Sequence, residues 1–564
     1  MREPPTATLV ATARRWMQAD PDPVTSKQVG EMVERGDHDE LLEHFGGRLR
    51  FGTAGLRAPV GPGPLRLNRL VARQTAAGIA RTLLAQTDTG GTAAARGVVV
   101  AHDARTGSVD FAADTCEVVA AHGIAVHSID GPAPTPLAAF ALRHLEAAAA
   151  VVVTASHNPA ADNGIKVYWG DGAQIAPPLD TLIAQAIDAV ADHEQVLPQD
   201  RRVAPITTLG SAAGPSELVS AYLDSAAGLV PGPPARPMPL AVTSLHGVGA
   251  ELLQLTLERF GHGPVHHVAS QRQPDPTFPT VDFPNPEEPG ALDEVISLAQ
   301  STGSVLALAN DPDADRLAVA APLPDGTWQA LSGDETGALL AWHQLLHTDG
   351  VAERLLVTTV VSSRLTGSMA DAAGAHFEQT LTGFKWLSRP GIDNPDWHQV
   401  IAYEEALGYA LGAYTRDKDG ITAALVAADA ACSLATADRT VWDVLDEIAE
   451  RHGAHVTHNG SLRIEGSGAA HRMADITSLL ADSPPTRLGG LDVLEVDWPA
   501  PDVMRIALAD DIRVVLRPSG TEPKFKYYCE AVEPVGAAER PDAARGRAAS
   551  RLEAVVADLV ELIG

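Results

Sequence analysis

The feature that most constrains this chain recurs along it: a short apolar run, a polar or glycine loop, then an amphipathic helix. RGVVVAHDART reads as a strand ending in a polar loop, and LEAAAAVVVTAS as a second strand preceded by a helix end. MPLAVTSLHGVGAELLQLTLERFG is strand, glycine loop, helix; RLLVTTVVSSRLTGSMADAAG repeats that order; SVLALANDPDADRLAVAAP is strand, acidic loop, strand. Leu182, Ile183, Ala186, Ile187 and Val190 recur at helical spacing. Short buried strands alternating with helices predict α/β layers with largely parallel sheets. The C-terminal region breaks the pattern. DVLEVDWPAPDVMRIALADDIRVVLRPSG reads as successive strands and RPDAARGRAASRLEAVVADLVELIG as a terminal helix, an α+β module.

A chain of 564 residues holds several such modules, with three or four as the expectation. LVPGPPARPMP (229–239) reads as a linker, APLPDGTW (321–328) as a hairpin turn or a boundary, and 451–470 as a change from helix to strand. The net charge of −30 argues against general binding to nucleic acid or anionic membrane. Small anionic substrates are compatible with it, provided positive charge is gathered locally. Cys116, Cys432 and Cys529 are widely spaced and make no disulfide framework or zinc pattern. With a charged N-terminus and no run of about 18 apolar residues, the expectation is a cytoplasmic protein. The chain has only six lysines, Lys27, Lys166, Lys385, Lys418, Lys524 and Lys526, the rest of its positive charge being arginine. A lysine kept on that background marks a place where a compact ammonium is needed, or is a leftover of composition.

Four segments carry chemistry. In AAAAVVVTASHNPAADNGIKVYW, Ser156 and His157 lie at the end of an apolar strand. Ser156 reads as a hydrolytic nucleophile, a helix cap or a carrier of a transferable group, and Lys166 follows beyond an expected Asn163-Gly164 turn. In NDPDADR, Asp311, Asp313 and Asp315 alternate between two strands, so a tight loop makes them converge. Converging carboxylates repel unless a cation neutralises them, and an all-oxygen set suits Mg²⁺; a solvated turn is the plainer reading. An EF-hand does not fit, since Arg316 and Pro322 stand where its Gly and Glu belong. In RPSGTEPKFK, Arg517, Ser519, Gly520 and Thr521 match a phosphate, with Lys524 and Lys526 adding charge, or form an ordinary hairpin turn. In IAYEEALGYALGAYTRDKDG, Glu404 and Glu405 leave a strand where paired carboxylates can grip vicinal hydroxyls. Lys418 there sits in what reads as a charged turn. FGTAGLR, ending in Arg57, is a further glycine loop able to approach an anion.

Together TASHNP (154–159), DPDADR (311–316), EEALG (404–408) and RPSGTEPK (517–524) resemble the α-D-phosphohexomutase superfamily of phosphoglucomutases and phosphomannomutases. FGTAGLR, DNGIKVYW, PDPTFPTVDFPNPEEP (274–289), TGFKW and DKDG resemble more specifically its phosphoglucomutase-2/phosphopentomutase branch. The resemblance implies a heart-shaped architecture of three α/β domains with mixed sheets and a C-terminal α+β domain around one cleft. The implied divisions are 1–205, 206–326, 327–455 and 456–564. The implied activity is a phosphosugar mutase interconverting hexose 1-phosphate and hexose 6-phosphate (glucose and/or mannose). Alternatives are a phosphopentomutase, a bisphosphosugar synthase or a phosphosugar phosphatase. Ser156 is then a phosphoserine. One Mg²⁺ is held by Ser156, Asp311, Asp313 and Asp315. His157, Lys166 and Lys418 handle protons, and Arg57 and Arg316 steady the phosphoserine region. Gly383, Phe384, Lys385, Glu404 and Glu405 bind the sugar; Arg517, Ser519, Gly520, Thr521 and Lys526 hold the other phosphate. The cofactor set adds a bisphosphosugar activator of the glucose 1,6-bisphosphate type. The implied partner is a small sugar phosphate, with neither nucleic acid nor membrane. The chain departs from the hexomutase pattern at Ala406, where a Ser is usual, and at Tyr414, where a His is often found.

Overall fold

A computed structural model describes residues 4–50, 55–86, 90–193, 196–198, 203–464, 469–518 and 524–563. The chain forms two compact units, one of residues 1–322 with 408–429 and the other of 323–407 with 430–564.

The first unit opens with three helices, Thr6–Ala19, Pro23–Arg35 and His38–Phe45. Asp22 and Asp37 cap the second and third by accepting backbone N–H groups that have no helical partner. Leu9, Trp16, Val29, Leu41 and Phe45 close a small core with Leu70 of helix Arg69–Ala85.

Behind them lies a six-stranded mixed sheet in the order Leu56–Pro59, Asp162–Trp169, Ala149–Val153, Val98–His102, Val126–Asp130, Ile206–Ser211. Its centre is parallel, and Asp162–Trp169 returns antiparallel along Ala149–Val153, so that Lys166 lies opposite Val152. The expected Asn163-Gly164 turn is not a turn. Both residues belong to the strand, where Asn163 pairs with Ala58 and Gly164 with Arg57. Buried Asn163 uses its amide on Thr106 O and Ser108 Oγ. A Cβ at Gly164 would lie 2.6 Å from the carbonyl oxygens of Leu56 and Thr154, so the site needs glycine for close strand approach.

The second sheet of this unit holds Ala318–Pro322, Leu306–Ala309, Leu240–Thr243 and Val265–His267. Its first pair is antiparallel and the others are parallel. Between its first two strands runs the acidic loop. Residues 230–239 carry no helix or strand, as the Pro-Gly composition predicts.

The other unit contains a parallel set, His376–Thr380, Arg354–Thr359 and His398–Glu404. It also contains a six-stranded antiparallel sheet, Ala454–Arg463, Lys524–Glu533, Ile512–Pro518, Val503–Leu508, Leu491–Ala500 and Arg487–Leu488. Helix Pro541–Ile563 packs Leu552, Val555 and Leu559 onto this last sheet. Residues 454–463 form a full ten-residue strand paired with Lys524–Glu533. Among the described residues no single helix is long and apolar enough to cross a membrane, though Gly420–Thr436 and Val441–His452 pass that test as a pair bent by 92°.

Candidate active site

In the first unit Ser156 follows strand Ala149–Val153 and adopts φ +55°, a left-handed conformation uncommon for a residue with a side chain. Thr154 Oγ1 accepts the Ser156 N–H at 2.9 Å, and Asn158 N–H donates to Ala155 O. The tight turn aims Ser156 Oγ at Asp311 Oδ2, 3.0 Å away, and His157 Nδ1 lies 3.1 Å from Ser156 Oγ. His157 is held well below the usual imidazole range by burial and then by the charges of Arg316 and Arg57, so it is neutral near pH 7.

The acidic loop converges as expected. Ala314 takes φ +58°, and Asp311, Asp313 and Asp315 are fully buried, each offering an oxygen within 4.8 Å of the others. Gly247 makes room, since a Cβ there would come within 2.3 Å of Pro312. Lys166 Nζ donates to Asp313 Oδ2 at 2.6 Å and to Asp315 Oδ2 at 2.5 Å, and Lys418 Nζ reaches Asp315 Oδ2 at 3.0 Å. Burial, with the neighbouring aspartates, pushes Asp311 well above the carboxylate range. Burial acts the same way on Asp313 and Asp315, but Lys166 outweighs it at both, joined at Asp315 by Lys418 and Arg316, and both end below that range. Asp313 Oδ1 and Asp315 Oδ1 are buried without a hydrogen-bond partner among the described residues. Two orphaned carboxylate oxygens beside a third carboxylate are a donor set that fits a hard divalent cation.

Lys418 does lie in a charged loop, between strand Gly408–Leu411 and helix Gly420–Thr436, but the loop is not a solvated one. Asp417, Lys418 and Asp419 are all buried. Asp417 Oδ2 accepts from Tyr168 OH and Gln174 Nε2, and Asp419 Oδ2 accepts from Tyr222 OH and Tyr414 OH. Tyr414 thus serves as an anchor of this loop. Arg57 Nη1 donates to Asn158 Oδ1, and Arg316 pairs with Glu287 at 3.3 Å.

In the other unit Glu404 ends strand His398–Glu404, and Glu405 Oε2 accepts from Ser362 Oγ at 3.0 Å and Thr359 Oγ1 at 3.3 Å. Gly383 has φ +105° and opens the single helical turn Phe384–Leu387, in which Phe384 and Lys385 are buried. Arg517 Nη1 donates to Thr382 Oγ1 at 2.8 Å and Nη2 to Tyr528 OH at 3.0 Å. Burial and then Glu405 push the Tyr528 phenol up to about 12. Lys526 lies on strand Lys524–Glu533 opposite Arg517. Ser519, Gly520 and Thr521 lie outside the described residues.

Asp334, in helix Gly333–His347, accepts from Ser363 N–H and Tyr403 OH, yet burial, with Glu405 and Glu530 nearby, pushes its carboxyl up to about 7. A folded-state value above the unfolded one adds stability that is complete at acid pH and fades as pH rises through 7. In urea melts between pH 5 and 8, wild type is expected to lose stability relative to Asp334→Asn, by on the order of 1 kcal/mol per pH unit below 7. Parallel pH profiles would refute it.

Sequence reasoning missed Arg105, Thr135, Ser362, Thr382 and Asp417, which hold other site residues. HDART was legible only as a polar loop. Nothing local shows that Thr135 donates to Asp313 Oδ2, 178 residues away.

A buried serine hydroxyl on a three-carboxylate centre, beside two lysines, is an arrangement suited to phosphoryl chemistry. Three family models match the chain: phosphoglucomutase/phosphomannomutase α/β/α domain I over 48–194, domain II over 220–323 and domain III over 332–452. A mouse phosphopentomutase is 34% identical over 93% of this chain and 90% of its own. A Staphylococcus aureus phosphoglucomutase is 32% identical over 89% and 92%. The open form of the Paramecium phosphoglucomutase parafusin shares the fold, with a TM-score of 0.68, 17% identity, and coverage of 92% of this chain and 96% of that one. The chain belongs to the phosphoglucomutase/phosphomannomutase family of phosphosugar mutases.

Proposed function

We propose that the protein interconverts hexose 1-phosphate and hexose 6-phosphate, of glucose and/or mannose, with Ser156 as the phosphoryl carrier. The observation that carries this reading is the Ser156 Oγ to Asp311 Oδ2 hydrogen bond inside the three-carboxylate cluster. Phosphoserine donates to the free hydroxyl of the sugar phosphate, the resulting bisphosphosugar turns over, and its other phosphate returns to Ser156. A glucose 1,6-bisphosphate type of activator fits this cycle because it recharges Ser156.

Asp311, Asp313 and Asp315, with Ser156, would hold one Mg²⁺, to which the orphaned Oδ1 atoms of Asp313 and Asp315 are suited. Bound there, the ion spreads the charge of the transferring phosphoryl group. Neutral His157 is placed to take a proton at Nδ1. Lys166 and Lys418 supply positive charge and N–H donors around the same oxygens. Arg57 and Arg316 bring further positive charge to the Ser156 region. In the other unit, Glu404 and Glu405, with Gly383, Phe384 and Lys385, would bind sugar hydroxyls; Arg517, Ser519, Gly520, Thr521 and Lys526 would hold the second phosphate.

A pentose reading, ribose or deoxyribose 1-phosphate to 5-phosphate, draws support from the mouse relative's name and from Ala406 in the sugar loop. The two are separated by incubating the protein with Mg²⁺, a catalytic bisphosphosugar, and glucose, mannose or ribose 1-phosphate. Comparing kcat/KM across the sugars ranks them; a ribose preference overturns the hexose reading. Inorganic phosphate released without isomer would overturn mutase activity itself.

A further inference from the structure

One arginine holds the Ser156 turn together without pointing at it in sequence. Arg105 leaves the loop after strand Val98–His102 and is buried. Its Nη2 donates to Ser156 O and Asn158 O, both at 2.6 Å, and its Nη1 to Pro159 O at 2.8 Å and Asp162 O at 3.1 Å. Its Nε lies 3.3 Å from Asp103 Oδ2, and the other oxygen of Asp103 accepts from Ser108 Oγ and Arg105 N–H. Four hydrogen bonds from the two Nη atoms thus go to the loop, while Nε is buried beside its acidic counter-charge without a hydrogen bond among the described residues.

The flat side of this guanidinium is covered from the second sheet's half of the unit. Its carbon lies 4.9 Å from the ring centroid of Phe278. Phe278 is buried and adopts φ +47°, held by its N–H to Asp275 O, while Asp275 N–H donates to His246 O. Phe278 lies in the PDPTFPTVDFPNPEEP stretch, whose Glu287 also pairs with Arg316. That stretch, conspicuous in sequence but without an assigned task, thus braces two arginines of the site.

Physical chemistry gives the arrangement a purpose. Four carbonyl oxygens of the turn point inward together, and their mutual repulsion would open it. A planar guanidinium satisfies all four at once; a lysine has only three N–H donors and no fork. Pinning Ser156 O fixes the left-handed backbone at that residue and hence the direction of its Oγ.

We propose that Arg105, stacked on Phe278, is the positioning residue that fixes the Ser156 turn for phosphoryl transfer and keeps the phosphoserine from reacting with water. It acts through the backbone and touches neither sugar nor phosphate. The proposal rests on Ser156 being the phosphoryl carrier. In a loosened turn, water attacks phosphorus, the P–Oγ bond breaks, inorganic phosphate leaves, and a proton returns to Ser156 Oγ.

The test compares full-length wild type, Arg105→Lys and Phe278→Leu on the best sugar 1-phosphate, measuring kcat, KM and free phosphate released per isomerisation. Arg105→Lys is expected to lose about 100-fold in kcat, the scale of a small misplacement of a reacting group. Its KM is expected to stay within about threefold, and its free phosphate per isomerisation to rise about tenfold, on the same grounds. Phe278→Leu, which keeps the guanidinium, is expected to move kcat and phosphate release in the same direction by a smaller factor. Wild-type kcat and phosphate partition in folded Arg105→Lys would overturn the proposal. If Arg105→Lys does not fold, wild-type values in Phe278→Leu would overturn it. Failure of the underlying carrier reading looks different: wild type would carry no phosphate on Ser156, or Ser156→Ala would remain active.

Discussion

Ser156→Ala is expected to abolish isomerisation, with kcat falling by at least about 10⁴-fold, since a lost nucleophile leaves only the residual effect of binding and electrostatics. The side chain removed is the one whose Oγ sits between Asp311 Oδ2 and His157 Nδ1. The nearby hydroxyls have other roles: Thr154 Oγ1 accepts the Ser156 N–H and Thr135 Oγ1 donates to Asp313 Oδ2. Intact mass supplies a second readout. Wild type is expected to carry one phosphate after incubation with a bisphosphosugar, and Ser156→Ala none. Turnover surviving the substitution would end the phosphoserine mechanism, whatever sugar is used.

The largest expected effect on stability is at Glu530, far from that serine in sequence. Glu530 is buried and accepts five contacts from cations and hydrogen-bond donors: Ser363 Oγ at 2.7 Å, Arg364 N at 2.8 Å, Arg364 Nε at 2.7 Å, His455 Nδ1 at 2.9 Å and Arg513 Nη2 at 3.1 Å. Burial alone would raise its carboxyl. The contacts with His455 and Arg513 outweigh that and hold it well below the usual carboxylate range. Arg513, itself buried, also donates to Ser362 O, and Ser362 Oγ donates to Glu405. The antiparallel sheet is thereby tied to the segment that supports Glu405. Glu530→Ala leaves Arg513 and Arg364 without their shared anion, a loss expected to cost about 3–5 kcal/mol. For a unit of this size that is a drop of roughly 10 °C in Tm, measurable by calorimetry. A Tm within a degree of wild type would show that the cluster contributes no net stability.

Part of this was legible in the chain alone. The alternation of apolar runs and helices follows from burial on both faces of a sheet, so Val98–His102, Ala149–Val153, Leu240–Thr243 and Arg354–Thr359 were each visible as strands. Asp311, Asp313 and Asp315 were visible as a converging set, because spacing in an extended loop fixes which way side chains point. Asn163-Gly164 was misread as a turn. Turn propensity is local, whereas the Gly is needed where Leu56 and Thr154 carbonyls press from either side. The helices of residues 6–45 went unremarked, having no strand–loop–helix signature; their core is completed by Leu70.

The sequence by itself determined the layered α/β class and the family, and it pointed to the serine, carboxylate and lysine residues of the candidate site. These depend on periodicity and on motifs a few residues long. Only the tertiary structure decided what each of those groups faces. It set Lys166 and Lys418 on the aspartates, made His157 neutral, and gave Arg105 four carbonyls and a Phe278 ring. The physical reason is that hydrogen bonds, ion pairs and burial act over a few ångströms of space. In this chain those ångströms separate residues up to hundreds of positions apart.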